Sequence, residues 1–359
     1  MIYQSYRYIY ISIKRTLRAL HRQIILKYVF IILLIVLTCT VNAQDPVLSQ
    51  FYSSPLLLNP AFAGNTNSPR FALNYRNQWP GLAQAYRTYA ISYDQFFEDY
   101  NSGIGISVLT DDAGHGLYKT TKFGGVYSYR LQIGKSTYIK TGMELAGVVA
   151  GVGWDKLIFP DQLDPLYGDV TQGGSPIPSQ DLRPDQTSKL YLDMSMGTMI
   201  YSPYFYGGIS VTHLNNPDIR FIKTTDNTGN ALPLRLTLHG GSQINIIDGK
   251  PGRSGVFISP NIMFTHQGNF NELLGGAYFG LGSFFTGVWG RLTPNNPDAA
   301  IFSAGVRTGN MKISYSFDAT ISKLSIRSGG AHELGIVYNL DDQNPRKSLD
   351  YNDCFQLFR

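Results

Sequence analysis

The chain has 359 residues, of which only 15% are charged, while Tyr (24), Phe (20) and Gly (37) are abundant. Typical soluble domains carry about 25% charged residues, so this composition disfavours a cytosolic enzyme and favours a membrane β-barrel. The length allows one large all-β domain or two ordinary ones.

The net charge of +5 is concentrated at the N-terminus. The first 43 residues hold 6 of the 30 Lys and Arg residues and none of the 25 Asp and Glu residues, which leaves 24 positive against 25 negative groups in the remainder. The basic balance therefore gives no indication of nucleic-acid binding, and no nucleic-acid partner is predicted. Cys354 is the single cysteine after residue 43, so no internal disulfide is expected there.

Residues 1–43 have the parts of a secretory signal peptide: a basic stretch, an apolar run over 28–37, and small residues ending at Ala43. A transmembrane anchor is the alternative, but the run is shorter than the ~20 residues that span a bilayer. Cys39 would suit a lipoprotein site, yet Leu37 and Thr38 precede it where small residues are required. We therefore expect cleavage after Ala43 and export of the mature chain.

Period-2 alternation dominates the rest of the sequence and is clearest at its end. Over 332–340 the even positions from 334 carry large apolar side chains, while the odd positions carry Glu333, Gly335, Val337 and Asn339. Such alternation is typical of a strand whose two faces meet different environments. It predicts one closed antiparallel sheet with an apolar outside and a polar inside, because closure removes unpaired edges in lipid.

About fourteen strands are predicted from alternation and turn signals. They are 71–79, 85–97, 103–110, 118–131, 137–150, 188–201, 204–214, 233–246, 255–266, 271–282, 284–292, 299–308, 311–320 and 332–340.

Connection length alternates along the chain. The short connections include 98–102, 132–136 and 202–203, and the longer ones include 111–117, 151–187 and 215–232. Outer-membrane barrels have short periplasmic turns and long extracellular loops, and an even strand number places both barrel ends in the periplasm. The prediction is thus a periplasmic N-terminal segment over 44–69 at or inside the barrel mouth, a transmembrane barrel over 70–340 and a periplasmic tail over 341–359.

The sequence contains only weak signals for catalytic or metal-binding motifs. The histidines after residue 43 show no metal-ligand spacing, and the run from Asp111 to Gly116 is interpreted as a polar, Gly-rich loop. His332 and Glu333 are predicted to make local hydrogen bonds, His332 at the membrane interface and Glu333 toward the lumen. No catalytic, cofactor-binding or metal-binding residue and no cofactor is predicted. Aromatic side chains are expected in interfacial girdles, namely Tyr89, Tyr93, Tyr127, Tyr129, Tyr201 and Tyr338.

Two blocks after the signal peptide, QFYSSP at 50–55 and NPAFAG at 59–64, resemble the N-terminal signature of the PorP/SprF family of the type IX secretion system. Further matching blocks are YRNQWP at 75–80, FPDQ at 159–162, GISV at 208–211, YSFD at 315–318 and SGGAHEL at 328–334. The terminal blocks are specific, and the interior ones would be weak alone. The extension after Leu340 is longer than expected of the family.

The resemblance implies a non-enzymatic, multi-pass outer-membrane barrel that serves export or surface attachment of cargo, including adhesins used in gliding. Its implied partners are outer-membrane lipid, cargo with a type IX C-terminal signal domain, and periplasmic ring and motor components. We hypothesise that 50–64 anchors the periplasmic face and that 151–187 contacts cargo. A passive porin-like channel for small solutes is the alternative, and a barrel enzyme, such as a lipid hydrolase, is a third reading without a recognisable Ser/His/acid set.

Overall fold

The computed structural model describes residues 45–340 and Phe358, except 67, 83–84, 182, 222–230, 248–254, 295 and 322–325. Strands dominate these residues. They are β1 (Arg70–Gln78), β2 (Tyr86–Phe97), β3 (Ser102–Ala113), β4 (Tyr118–Gln132), β5 (Tyr138–Val152), β6 (Ser188–Tyr201), β7 (Phe205–Thr212), β8 (Arg235–Ser242), β9 (Ile244–Ile247), β10 (Val256–Gln267), β11 (Phe270–Leu281), β12 (Phe284–Thr293), β13 (Asn296–Thr308), β14 (Met311–Thr320) and β15 (Ala331–Asn339).

Helical structure in the described part of the chain is limited to single turns. One α-helical turn spans Pro55–Leu58, and the 3₁₀ turns are Phe51–Ser53, Pro60–Phe62, Glu98–Tyr100, Trp154–Lys156, Pro160–Gln162 and Ile326–Ser328. No helix among the described residues is long and apolar enough to cross a membrane.

The sheet closes on itself. Each strand pairs antiparallel with its neighbours, β1 also pairs with β15, and β10 pairs with β11. Both β8 and β9 pair with β10, so they are two pieces of one strand position. The result is a closed barrel of 14 strand positions, as predicted. Because the sheet is closed, no full-length strand edge is left with unpaired backbone groups. Backbone N–H and C=O groups must be paired within the protein where the strands cross hydrocarbon.

Strand bounds agree with the predicted ones to within a few residues. The separation into short connections at one end and long connections at the other is less strict than predicted. β3 continues to Ala113, so the connection to β4 is only 114–117, shorter than the predicted 111–117. The connections 153–187 and 213–234 are long as expected. We call the barrel end that bears them the loop end, and the end that bears turns such as 98–101, 133–137 and 309–310 the turn end.

Side chains alternate between the two faces of the wall. Phe71 (45% exposed) and Leu73 (41%) point outward from β1, while Asn74 and Arg76 are each 1% exposed and point inward. Most of the predicted girdle tyrosines are exposed on the outer face, as Tyr89 and Tyr127 illustrate. Tyr201 is an exception and the prediction for it was wrong, because its ring stacks on the inward-facing Tyr138 with centroids 5.5 Å apart.

Candidate functional site

The lumen is occupied by the segment 45–66, which we call the plug. Its residues from 49 to 66 are buried except for the partly exposed Leu57. The hypothesis that 50–64 anchors the periplasmic face is not supported by this position, because the side chains contact the inner wall of the barrel and are not exposed to the periplasm. The predicted position inside the barrel mouth was too shallow, because the plug makes contacts along most of the lumen.

A charged cluster fixes the plug near the loop end. The backbone N–H groups of Ser49 and Gln50 donate to the two carboxylate oxygens of Glu333 at 2.9 and 3.0 Å. Arg76 donates to Glu333 at 3.1 Å and to Asp318 at 2.9 Å. The three charged residues, Arg76, Asp318 and Glu333, are each 1% exposed, so each charge depends on this pairing.

Arg291 extends the cluster along the barrel wall to β12. Its guanidinium donates to Asp318 at 3.0 Å, to the Ser49 hydroxyl at 3.1 Å and to Asp298 at 2.5 Å. Ser49 also donates to Asp318 at 2.7 Å. One small plug residue thus joins two arginines and a carboxylate from three different strands.

Asn59 holds the middle of the plug. It is fully buried, and its side-chain oxygen accepts the Ala61 N–H at 2.8 Å, which begins the 3₁₀ turn Pro60–Phe62. The Asn59 amide nitrogen donates to the carbonyl of Ile209 at 3.2 Å and lies 3.0 Å from Nε2 of His239. A single side chain therefore both shapes the turn and ties it to β7 and β8.

Near the turn end the plug is held through its backbone. Lys140 donates to the carbonyls of Ala63 and Gly64, the latter at 2.9 Å, and the Gly64 N–H donates to Asp94 at 2.8 Å. Asp94 is also held by a bidentate contact from Arg70 at 2.9 and 3.0 Å. Because these contacts are made to backbone atoms of the plug, they fix the path of its main chain.

Inward-facing glycines make room for the plug. A Cβ on Gly142 would lie 2.5 Å from the carbonyl carbon of Pro60, and one on Gly105 would lie 2.9 Å from the Leu56 side chain. The same holds at Gly103 against Ala63 and at Gly197 against Asn59. These glycines blur the alternation of their strands in the sequence, and in the structure each allows close approach of the plug.

An aromatic cluster packs against the plug and includes Phe358 from the C-terminal tail. Phe358 is 1% exposed, its ring stacks on Phe62 at 4.9 Å, and its carbonyl accepts from Arg70 at 3.1 Å. Phe51 packs edge-on against Trp289 at 5.4 Å. The prediction of a tail over 341–359 otherwise lies outside the described residues, and its described member is inside the barrel.

His213 anchors the first described residue of the plug. Its ring lies 2.7 Å from Asp45 and 2.9 Å from Asp193, while Arg235 approaches Asp45 at 3.4 Å and Lys122 pairs with Asp193 at 3.1 Å. Burial of the ring disfavours its charge, but the hydrogen bonds that the protonated ring donates to Asp193 and Asp45 outweigh burial and raise the pKa of His213 to about 9.

This contact predicts a loss of stability in alkaline solution. The pKa of His213 is higher in the folded barrel than the value of 6.5 for free histidine, so its stabilisation is complete below pH 6.5 and is lost as the pH rises through about 9. One pKa unit corresponds to about 1.4 kcal/mol, so a rise from 6.5 to about 9 predicts a fall of about 3 kcal/mol in the free energy of unfolding. Urea unfolding in detergent micelles between pH 6 and 10 measures this.

The control for that measurement is His213→Leu, which should be less stable at pH 6 and nearly flat across the same range. An equally steep pH dependence in both proteins would show that other groups titrate.

The other candidate residues from the sequence make local hydrogen bonds. Asp111 accepts from Thr88 at 2.6 Å and Asp112 accepts the Gly116 N–H at 2.5 Å. Both carboxylates lie in β3, so the interpretation of 111–116 as a loop was wrong for 111–113 and holds only from Gly114 onward. His332 lies 2.7 Å from the Tyr315 hydroxyl on the outer face, and Glu333 faces the lumen as predicted. The pairing of His213 with Asp45 could not be predicted from the sequence, because the two residues are 168 positions apart and share no motif spacing.

The connection 153–187 is the largest described loop and is folded by its own contacts. Asp161 accepts from the Gln180 N–H at 2.5 Å and from the Ser179 hydroxyl at 3.0 Å, and Lys156 donates to the His115 carbonyl at 2.7 Å. Its surface is apolar, since Leu166 is 85% exposed and Leu163 57%. It is also acidic, with six Asp residues (155, 161, 164, 169, 181, 185) against Lys156 and Arg183.

A family model described as "Type IX secretion system membrane protein PorP/SprF" matches residues 40–338. The chain belongs to the PorP/SprF family. This confirms the resemblance seen in the sequence and, with the closed barrel, makes the chain a multi-pass outer-membrane protein. No curated protein matches the chain.

Solved structures similar to this PorP/SprF protein are outer-membrane porins and channels. A mutant of Rh. blastica porin is 7% identical and covers 76% of this chain and 99% of its own, with a TM-score of 0.33. The P. putida toluene transporter TodX is 9% identical and covers 79% of this chain and 92% of its own, with a TM-score of 0.43.

Proposed function

We propose that this PorP/SprF protein is a non-enzymatic component of the type IX secretion system that serves export or surface attachment of cargo, including adhesin-like proteins used in gliding. Its proposed partners are cargo with a type IX C-terminal signal domain and periplasmic ring and motor components. In this proposal residues 1–43 are a cleaved signal peptide and the loop end faces outward, as in barrels with long extracellular loops.

The filled lumen is the observation that carries the proposal. A diffusion channel needs an open water-filled path, whereas here the plug binds several sides of the inner wall, from Glu333 on β15 to Lys140 on β5 and Ser210 on β7. In this proposal the closed barrel acts by binding other proteins through its exposed loops. The loop 153–187 is the longest connection among the described residues, and its acidic and apolar character suits a cargo domain with basic and apolar side chains.

The experiment compares the surface proteome of cells with the intact gene, without it, and with the double variant Leu163→Ser/Leu166→Ser. We expect loss of the cargo on deletion and a reduction of at least about tenfold in the double variant, since two exposed apolar anchors are removed. Gln172→Ser, on the same loop, is the matched control and should leave cargo display unchanged.

Two results would contradict the proposal. Normal cargo display without the chain would reject a secretion role. Steady single-channel conductance of the purified barrel in planar bilayers, together with normal display, would favour a passive porin-like channel instead.

A further inference from the structure

The first described residue of the plug lies at the loop end of the barrel. Asp45 contacts His213, which follows the last residue of β7, and Arg235, which begins β8. Its backbone N–H also donates at 3.2 Å to Gln267, the last residue of β10. All three partners border connections at the loop end, so Asp45 is placed there by three separate strands.

The barrel wall begins at the opposite end. Arg70 opens β1 at the turn end, where it pairs with Asn339 at the close of β15. The plug reaches this end at Gly64, whose N–H is bound by Asp94 near the close of β2. The chain therefore crosses the lumen from the loop end to the turn end between Asp45 and Arg70.

The contacts with β14 show the direction of this crossing. That strand runs from Met311 at the turn end to Thr320 at the loop end. Successive plug residues contact positions progressively nearer the turn end: Ser49 binds Asp318, Gln50 binds Ser316 at 3.1 Å, and Ser53 lies 3.4 Å from Ser314. Three ordered contacts on one strand exclude a looped-back path for this part of the plug.

We infer that the plug carries the mature N-terminus through the barrel to the cell surface. This rests on the orientation in the proposed function, in which the loop end faces outward. Cleavage after Ala43, as in the proposed function, leaves Gln44 as the only residue before Asp45, and Asp45 lies at the same end of the barrel as the loop 153–187. Because β1 closes on β15 around the plug, the N-terminus must be in the lumen before the last strands pair.

The test places a short epitope at one of three positions in the full-length chain: between Gln44 and Asp45, between Gly173 and Gly174 in the loop, or between Lys135 and Ser136 in a turn-end connection. Antibody binding is measured on intact and on permeabilised cells. We expect the first two epitopes to be detected on intact cells and the third only after permeabilisation, with all three proteins keeping the gel mobility of a folded barrel.

Other labelling patterns separate the inference from the proposed function. Detection of the loop epitope on intact cells, with the N-terminal one seen only after permeabilisation, would overturn the inference and leave the orientation intact. Detection of the 135–136 epitope on intact cells, without the other two, would overturn both the orientation and the surface location.

A second measurement tests the path without an inserted epitope. The variant Ser53→Cys/Ser314→Cys, made with Cys354→Ser, should form a disulfide on oxidation, because the two hydroxyl oxygens are 3.4 Å apart. The pair Ser53→Cys/Lys135→Cys is the control and should stay reduced. Absence of the first disulfide in a folded barrel would overturn the crossing.

Discussion

Arg76→Met is expected to lower the free energy of unfolding by about 3–5 kcal/mol, because it leaves buried carboxylates without a partner. Glu333 would lose its described salt-bridge partner, and Asp318 would keep Arg291 and the hydrogen bond from Ser49. Asp318 and Glu333 are each 1% exposed, so water cannot replace the guanidinium. Urea unfolding of the purified barrel in detergent micelles, followed by tryptophan fluorescence, measures the change.

The chain offers a matched control for this substitution. Arg183 pairs with Asp155 at 2.9 Å, similar in length to the Arg76 contacts, but the two side chains are 57% and 78% exposed. Surface pairs contribute about 0–1 kcal/mol, so Arg183→Met should change stability within that range. Similar losses in both variants would show that burial of the Arg76 cluster does not set its contribution.

Amide exchange in the plug gives the Arg76→Met experiment a second readout. Removal of Arg76 leaves Glu333 without its cation, and the same carboxylate accepts the N–H groups of Ser49 and Gln50. We therefore expect the plug to loosen near the loop end before the barrel unfolds, and amide exchange at residues 49 and 50 should rise more than exchange in β14.

The barrel wall was predictable from the sequence because lipid imposes a simple rule. Outward positions such as Phe71 and Leu73 must be apolar, inward ones such as Asn74 and Arg76 need not be, and the resulting period of 2 is visible in most of the strands. Turn signals then fixed most strand ends to within a few residues.

The plug was not predictable in the same way. Residues 45–66 have no period, since they are buried on all sides by a surrounding wall rather than on one face. Their partners, such as Asp45 with His213 or Ser49 with Asp318, are separated by 168 and 269 residues. One signal was present, namely glycine at inward positions such as Gly103, Gly142 and Gly197, where a strand would otherwise carry a side chain.

Those glycines lead to the second large effect. Gly142→Ala is expected to destabilise the barrel by about 1–3 kcal/mol or to displace the plug, because an added Cβ would lie 2.5 Å from the carbonyl of Pro60 and 2.6 Å from the Ala61 nitrogen. Both are backbone atoms of a turn that Asn59 fixes, so no flexible side chain can move away. Relief therefore requires the turn Pro60–Phe62 to shift as a unit.

Gly147→Ala on the same strand is the control, since a Cβ there meets nothing within 4 Å. Unfolding midpoints in urea should separate the two variants, with Gly147→Ala at or above the parent. Conductance in planar bilayers should separate them further, because only Gly142→Ala loosens the segment that fills the lumen. Equal midpoints and equal conductance would mean that the plug does not press against β5, and the filled lumen on which the proposed function rests would have to be abandoned.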